Sequence, residues 1–127
     1  MFAKDNIEPK LLSPLTLAFI GDGVYSILVR ERLVCDSNCP VGQLHKMTVE
    51  NVNAHAQSQA INKIMDSLTD EEISIYKRGR NSNSTHHPKN SDVIEYRQAT
   101  GLEALFGYLY LSGRDDRIKQ LFEMILD

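Results

Sequence analysis

The chain has 127 residues, 42% of them hydrophobic, and 14 Lys and Arg against 17 Asp and Glu give it a formal charge of −3. This length accommodates one domain, expected over residues 1–127, and is too short for a catalytic domain plus an appended binding domain. The acidic balance excludes the overall basic surplus of a nonspecific nucleic-acid binder, and no window approaches the roughly 18 apolar residues of a membrane span. Lys4, Asp5, Glu8 and Lys10 interrupt the first residues, so a signal-peptide core is not expected there, and the protein is expected to be cytoplasmic, without membrane contact. Charge is nevertheless uneven: from Ile73 to Ser91 there is no acid, while Lys77, Arg78, Arg80 and Lys89 are basic. Cys35 and Cys39 have only His45 near them in sequence, too few ligands for zinc, and are read as reduced thiols.

Ser13-Pro14 predicts a helix start, with Ser13 as cap and Pro14 at the first helical position, where its missing N–H is harmless. This helix is expected to run to about Val34. Leu15, Leu17, Ala18, Phe19, Ile20, Val24, Tyr25, Ile27, Leu28 and Val29 put apolar side chains on nearly every face, the mark of a helix buried all round. In so small a domain that implies cover from a second protomer. Cys39-Pro40 punctuates a loop, Val41 to Met47 forms a short helix, and Thr48 is expected to cap the next. There Val49, Val52, Ala56, Ala60, Ile64 and Leu68 recur at three- and four-residue steps, ending near Ser67. Thr69 and Glu72 have capping-box spacing and open a helix that is expected to stop at Gly79. The Asn-, Ser-, Thr- and Pro-containing stretch from Gly79 to Ser91 favours a loop. Asp92, with Glu95 three residues on, caps a long helix ending at Gly113, and a last helix spans about Asp116 to Leu126. With no strand alternation and no repeat, the fold class is all-α, a bundle of about six to seven helices.

Two carboxylates stand out against this apolar background. Asp22 lies mid-helix between Gly21 and Gly23, each costing about 1 kcal/mol of helix propensity. Glu103 lies mid-helix in Ala-Thr-Gly-Leu-Glu-Ala-Leu-Phe-Gly. Both helices are apolar enough to be central, so both acids are candidates for burial, which demands compensation. Asp22 shares its face with Ala18, Phe19, Tyr25 and Ser26, and Glu103 with Ala99, Thr100, Phe106 and Gly107, so neither stripe offers a Lys or Arg. Ala18, Gly21, Gly23, Ala99 and Gly107 would let the two helices pack closely, bringing the acids together around a cation, for which oxygen ligands favour Mg²⁺ or Mn²⁺. The structural alternative is that Asp22 bonds to Tyr25 or Ser26 and that Glu103 pairs with an arginine such as Arg97.

Leu17 to Tyr25 resembles the signature helix of the ribonuclease III family, and Leu102 to Leu111 resembles its second acidic motif. Arg78-Gly-Arg-Asn, Pro88-Lys-Asn and Tyr96-Arg-Gln-Ala-Thr are similar to the Mini-ribonuclease III branch, which lacks the double-stranded-RNA-binding domain. The resemblance implies a ribonuclease III endonuclease-domain-like bundle, acting as a homodimer, that uses Mg²⁺ to hydrolyse double-stranded RNA. By that resemblance Asp22 and Glu103 are the metal-binding and catalytic acids, and Phe19 is the aromatic dimer contact. The family's usual task, maturation of 23S ribosomal RNA precursors, and a ribosomal-protein partner enter by resemblance only. Two further family acids fall at Ala18 and Thr100 here, which leaves more of the metal's coordination to water.

A-form RNA is recognised through phosphates and 2′-hydroxyls, which suits a loop rich in Arg, Lys and Asn. Arg78, Arg80, Asn81 and Lys89 are accordingly the expected RNA contacts, with Arg97 as a phosphate clamp supported by Tyr96. His86 and His87 point in different directions in most backbones and are not needed as a base when a metal activates water. Two rival readings stay open. One is a ribonuclease III-like dimer that binds RNA or the ribosome, with its chemistry weakened or lost; the other is a nucleotide phosphohydrolase, which would need a His-Asp ligand cluster.

Overall fold

The structure, a computed structural model, describes residues 7–82 and 92–127. After a 3-10 turn at Pro9–Leu11 come α1 (Pro14–Asp36), α2 (Val41–Asn51), α3 (Ala54–Ile64), α4 (Asp70–Arg80), α5 (Val93–Leu111) and α6 (Asp115–Leu126). A second 3-10 turn, Met65–Ser67, joins α3 to α4, and the fold is all-α as expected. None of the described helices is long and apolar enough to cross a membrane.

Local chemistry explains most boundaries. Ser13 Oγ accepts the Thr16 N–H at 3.2 Å and Pro14 opens α1. Thr69 and Glu72 form the reciprocal capping box at the start of α4, and Asp92 accepts the N–H groups of Ile94 and Glu95 at the start of α5. Gly113 ends α5 with φ +72°, the left-handed cap that glycine adopts without strain. Two expectations need correction. Thr48 does not cap a helix: it sits inside α2 and donates back to the Leu44 carbonyl, whereas Asn53 caps α3 by accepting the Ala56 N–H. Gly79 does not stop α4, which continues to Arg80; a Cβ there would lie 2.7 Å from that of Ala104, so this glycine serves packing.

The core is built round α5, which packs against α1, α3, α4 and α6. Every residue from Ala99 to Leu109 is buried except Glu103. Tyr25 meets Phe106 and Phe122 edge-on, with ring centres 5.3 and 5.8 Å apart, tying α1 to α5 and α6. The surface of α1 differs from a helix enclosed on all sides: Phe19 is 83% exposed, and Leu15, Ile27 and Val34 are also open to solvent in the single chain. Leu15, Phe19, Gly23 and Ile27 follow one another at four-residue steps, so they form one ridge.

On α4 the Glu72 carboxylate is buried and receives two bonds from Arg117, Nε at 2.9 Å and Nη2 at 2.8 Å. Burial alone would raise its pKa, but the Arg117 bonds and the Thr69 N–H outweigh this and hold it below the usual carboxylate range. Arg117 also donates to the Ser67 carbonyl and to Gln120, which fixes the start of α6 beside α4. Removing one partner of a buried pair strands the other charge, so Arg117→Ala is expected to cost about 3 kcal/mol, read as a lower urea midpoint with an unchanged slope.

Candidate functional site

Asp22 comes from α1 and Glu103 from α5, and the packing of these two helices decides their relation. At the crossing the backbones touch. A Cβ on Gly21 would overlap the Glu103 carbonyl and lie 2.9 Å from the Gly107 nitrogen. A Cβ on Gly107 would overlap the Leu17 carbonyl and lie 2.8 Å from Ile20 Cγ2. Gly21 and Gly107 are therefore the small residues that set the approach, while Gly23 meets nothing and Ala18 and Ala99 are ordinary buried core. Asp22 immediately follows Gly21 and lies near enough to Glu103 to act on its carboxyl.

The two acids differ in environment. Glu103 is half-buried at the one point where the central stretch of α5 reaches the surface, whereas Asp22, expected to be buried, is exposed on the rim of the crossing. Burial, and then the hydrogen bond and negative charge of Asp22, push Glu103 up to about 8, so without a cation it keeps its proton near neutral pH. The structural alternative for the pair is not what forms. Tyr25 packs among aromatic rings, Ser26 accepts from Arg30, and among the described residues no arginine pairs with Glu103. Nor does a third His, Cys, Asp or Glu join the pair among the described residues. Of the neighbouring positions, Ala18 is apolar and Thr100 donates its hydroxyl to the Tyr96 carbonyl at 3.0 Å.

Reading the sequence missed Gln57, a buried α3 side chain that faces Glu103 and favours its ionised form. Its signal was available: residues 57, 60, 61 and 64 are the buried stripe of α3, and a glutamine occupies a core-phase position. Also unforeseen, His55 of α3 pairs with Glu95 of α5.

The expected RNA contacts are spread out. Gly79 packs on Gly101 and Ala104, which brings the end of α4 beside the turn of α5 that carries Glu103. Arg80 stacks over Tyr76 at 5.5 Å and donates to Asn81. Arg78 is turned inward to the carbonyls of Lys10 and Leu12, at 3.4 and 3.0 Å, so much of its donor capacity holds the N-terminal turn. Arg97 is exposed near the start of α5. Lys89, His86 and His87 lie outside the described residues.

A helical bundle with one glycine-mediated crossing and a carboxylate on each side of it defines the class to compare. Residues 15–114 match the family model described as Ribonuclease III domain. A Mini-ribonuclease 3 of Thermoanaerobacter sp. is 51% identical over 89% of this chain and 80% of its own, and one of Brevibacillus brevis is 45% identical over 91% and 87%. A crystal structure of a Fusobacterium nucleatum protein superposes with a TM-score of 0.83 at 32% identity, covering 92% of this chain and 93% of that one. The chain belongs to the ribonuclease III family, within its Mini-ribonuclease 3 group, and so to the endoribonucleases.

The raised Glu103 carboxyl has a defined signature. Its folded-state pKa lies above the unfolded value, so its stabilising contribution is complete below about pH 4.5 and is lost as pH rises through about 8. In divalent-free buffer, the melting temperature of wild type is expected to fall relative to Glu103→Gln between pH 5 and 9. Parallel profiles for the two proteins would show that the carboxyl is not perturbed.

Proposed function

We propose that the chain is a divalent-metal-dependent endoribonuclease that hydrolyses phosphodiester bonds in double-stranded RNA, with residues 1–127 acting as one catalytic domain. The observation that carries this is the Asp22–Glu103 pair: two oxygen-donor side chains from different helices, with no cationic side chain among the described residues to neutralise Glu103. Such a donor set fits Mg²⁺, with Mn²⁺ as a substitute and water completing the shell. An ion held there supplies charge stabilisation at the scissile phosphate and activates the attacking water.

The protein's own part is positional. The backbone contact at Gly21 and Gly107 sets the approach of the two helices that carry the carboxyls, and Glu103 would have to be ionised to ligate a cation. Arg80 and Asn81 at the end of α4, with Arg97, Lys89 and the remaining reach of Arg78, bind phosphates along the RNA. A homodimer formed through the Leu15–Phe19–Ile27 ridge supports the reading, because that apolar ridge is open in the single chain and a second copy would cover it. Two copies of the site then engage one duplex. The substrate by family resemblance is precursor 23S ribosomal RNA, with a ribosomal protein as a further partner and the cytoplasm as location.

One observation favours a second reading, an RNA- or ribosome-binding module of weak or lost activity: only two acids meet at the site among the described residues. Cleavage of long double-stranded RNA separates the two. Asp22→Asn and Glu103→Gln are each expected to slow Mg²⁺-dependent cleavage by at least about 100-fold while RNA binding persists. Wild-type protein that leaves RNA intact across a wide metal range would establish the binding module. Phe19→Asp is expected to convert the dimer to monomer in sedimentation equilibrium; an unchanged mass would place the interface elsewhere.

A further inference from the structure

Gln57 is 4% exposed, lies in the core-facing stripe of α3 and is directed at Glu103 on α5. Its Nε2 is buried without a partner of full hydrogen-bond geometry, although the amide is near enough to Glu103 to favour the ionised carboxylate. An unpaired buried amide is unusual, because water cannot replace the missing partner. The rest of this environment is settled: Ser58 donates to the His55 carbonyl at 2.9 Å and Thr100 to the Tyr96 carbonyl. Among the described residues, Gln57 alone therefore has a buried side-chain donor in reserve, and it lies beside Glu103.

We propose that Gln57 is a positioning residue, whose buried Nε2–H is held for the Glu103 carboxylate and fixes its orientation toward Asp22 when both acids bind a cation. The proposal rests on the metal-site reading above. Glu103 lies between Asp22 on one hand and Gln57 on the other, and the amide nitrogen has no partner of full geometry. Were both acids to hold a cation, Gln57 Nε2 would donate to the ionised Glu103, so that the amide and the carboxylate would satisfy each other. Neutral donors behind a ligating carboxylate set its direction without adding charge. A glutamate in this place would instead add a third acid to the pair, and a buried one.

Calorimetric titration of Mn²⁺ into wild type, Gln57→Met and Asp22→Asn tests this. Methionine keeps the volume of the side chain and removes its donor, so Gln57→Met is expected to melt no lower than wild type in metal-free buffer. Its affinity for Mn²⁺ is expected to weaken by about 10-fold or more, with kcat for RNA cleavage reduced and KM for RNA unchanged. Gln57→Leu, read in the same way, guards against a folding defect peculiar to one substitution. If both variants bind Mn²⁺ as wild type does while Asp22→Asn does not, Gln57 is only a packing residue and the metal site stands. If wild type itself binds no Mn²⁺, the metal site and the positioning role both fall.

Discussion

The structure depends on one contact: α1 and α5 meet backbone to backbone, with Gly21 against the Glu103 carbonyl and Gly107 against the Leu17 carbonyl. No side chain fits between the helices there. An alanine at either position would have to wedge them apart, and the hydrogen-bonded backbone on the far side cannot yield as a flexible side chain can. Close approach of two helices is useful in a core because it increases packing density; here it also carries chemistry. Asp22 follows the first glycine directly, and Glu103 supplies the carbonyl that the glycine touches, so the separation of the carboxyls follows from the separation of the backbones.

The same geometry explains why an acid can stand in the most apolar helix of the molecule. The stretch from Ala99 to Leu109 is otherwise buried, and Glu103 occupies its single opening to the surface. Elsewhere a comparable problem is solved with an arginine: Glu72 is buried, receives two bonds from Arg117, and lies below the usual carboxylate range. Among the described residues Glu103 receives no such partner, and it is pushed the opposite way, up to about 8. Glu72 is completed within the chain, whereas the half-buried Glu103 faces another acid instead. That contrast marks Glu103 as a candidate functional carboxylate where burial alone would not.

Much of this was legible in the residues. Ser13-Pro14, the Thr69–Glu72 box, Asp92 and Gly113 encode their boundaries in local hydrogen bonds and backbone conformation, and each appears where it was expected. Thr48 and Gly79 misled because a cap and an interior residue share the same composition; only tertiary packing shows that Thr48 bonds back along its own helix and that Gly79 admits Ala104. The conjunction of Asp22 with Glu103 was inferable from small residues and absent cations, but Gly23 and Ala18 looked as suitable for the crossing as Gly21. Asp22 was also placed deeper than it lies, since apolar flanks suggest burial without showing which side of a helix is covered. Gln57 escaped because a polar residue in an amphipathic helix is normally assigned to the wet face. The inward turn of Arg78 depends on carbonyls of Lys10 and Leu12, distant in sequence, and no local pattern announces it.

Anomalous diffraction from a crystal soaked in Mn²⁺ at pH 8.5 bears most directly on the paired-acid account. The account requires a manganese peak between the side chains of Asp22 and Glu103 of the same chain, with both carboxyls ligating. Manganese bound only elsewhere, with the two acids still joined to each other, would contradict it.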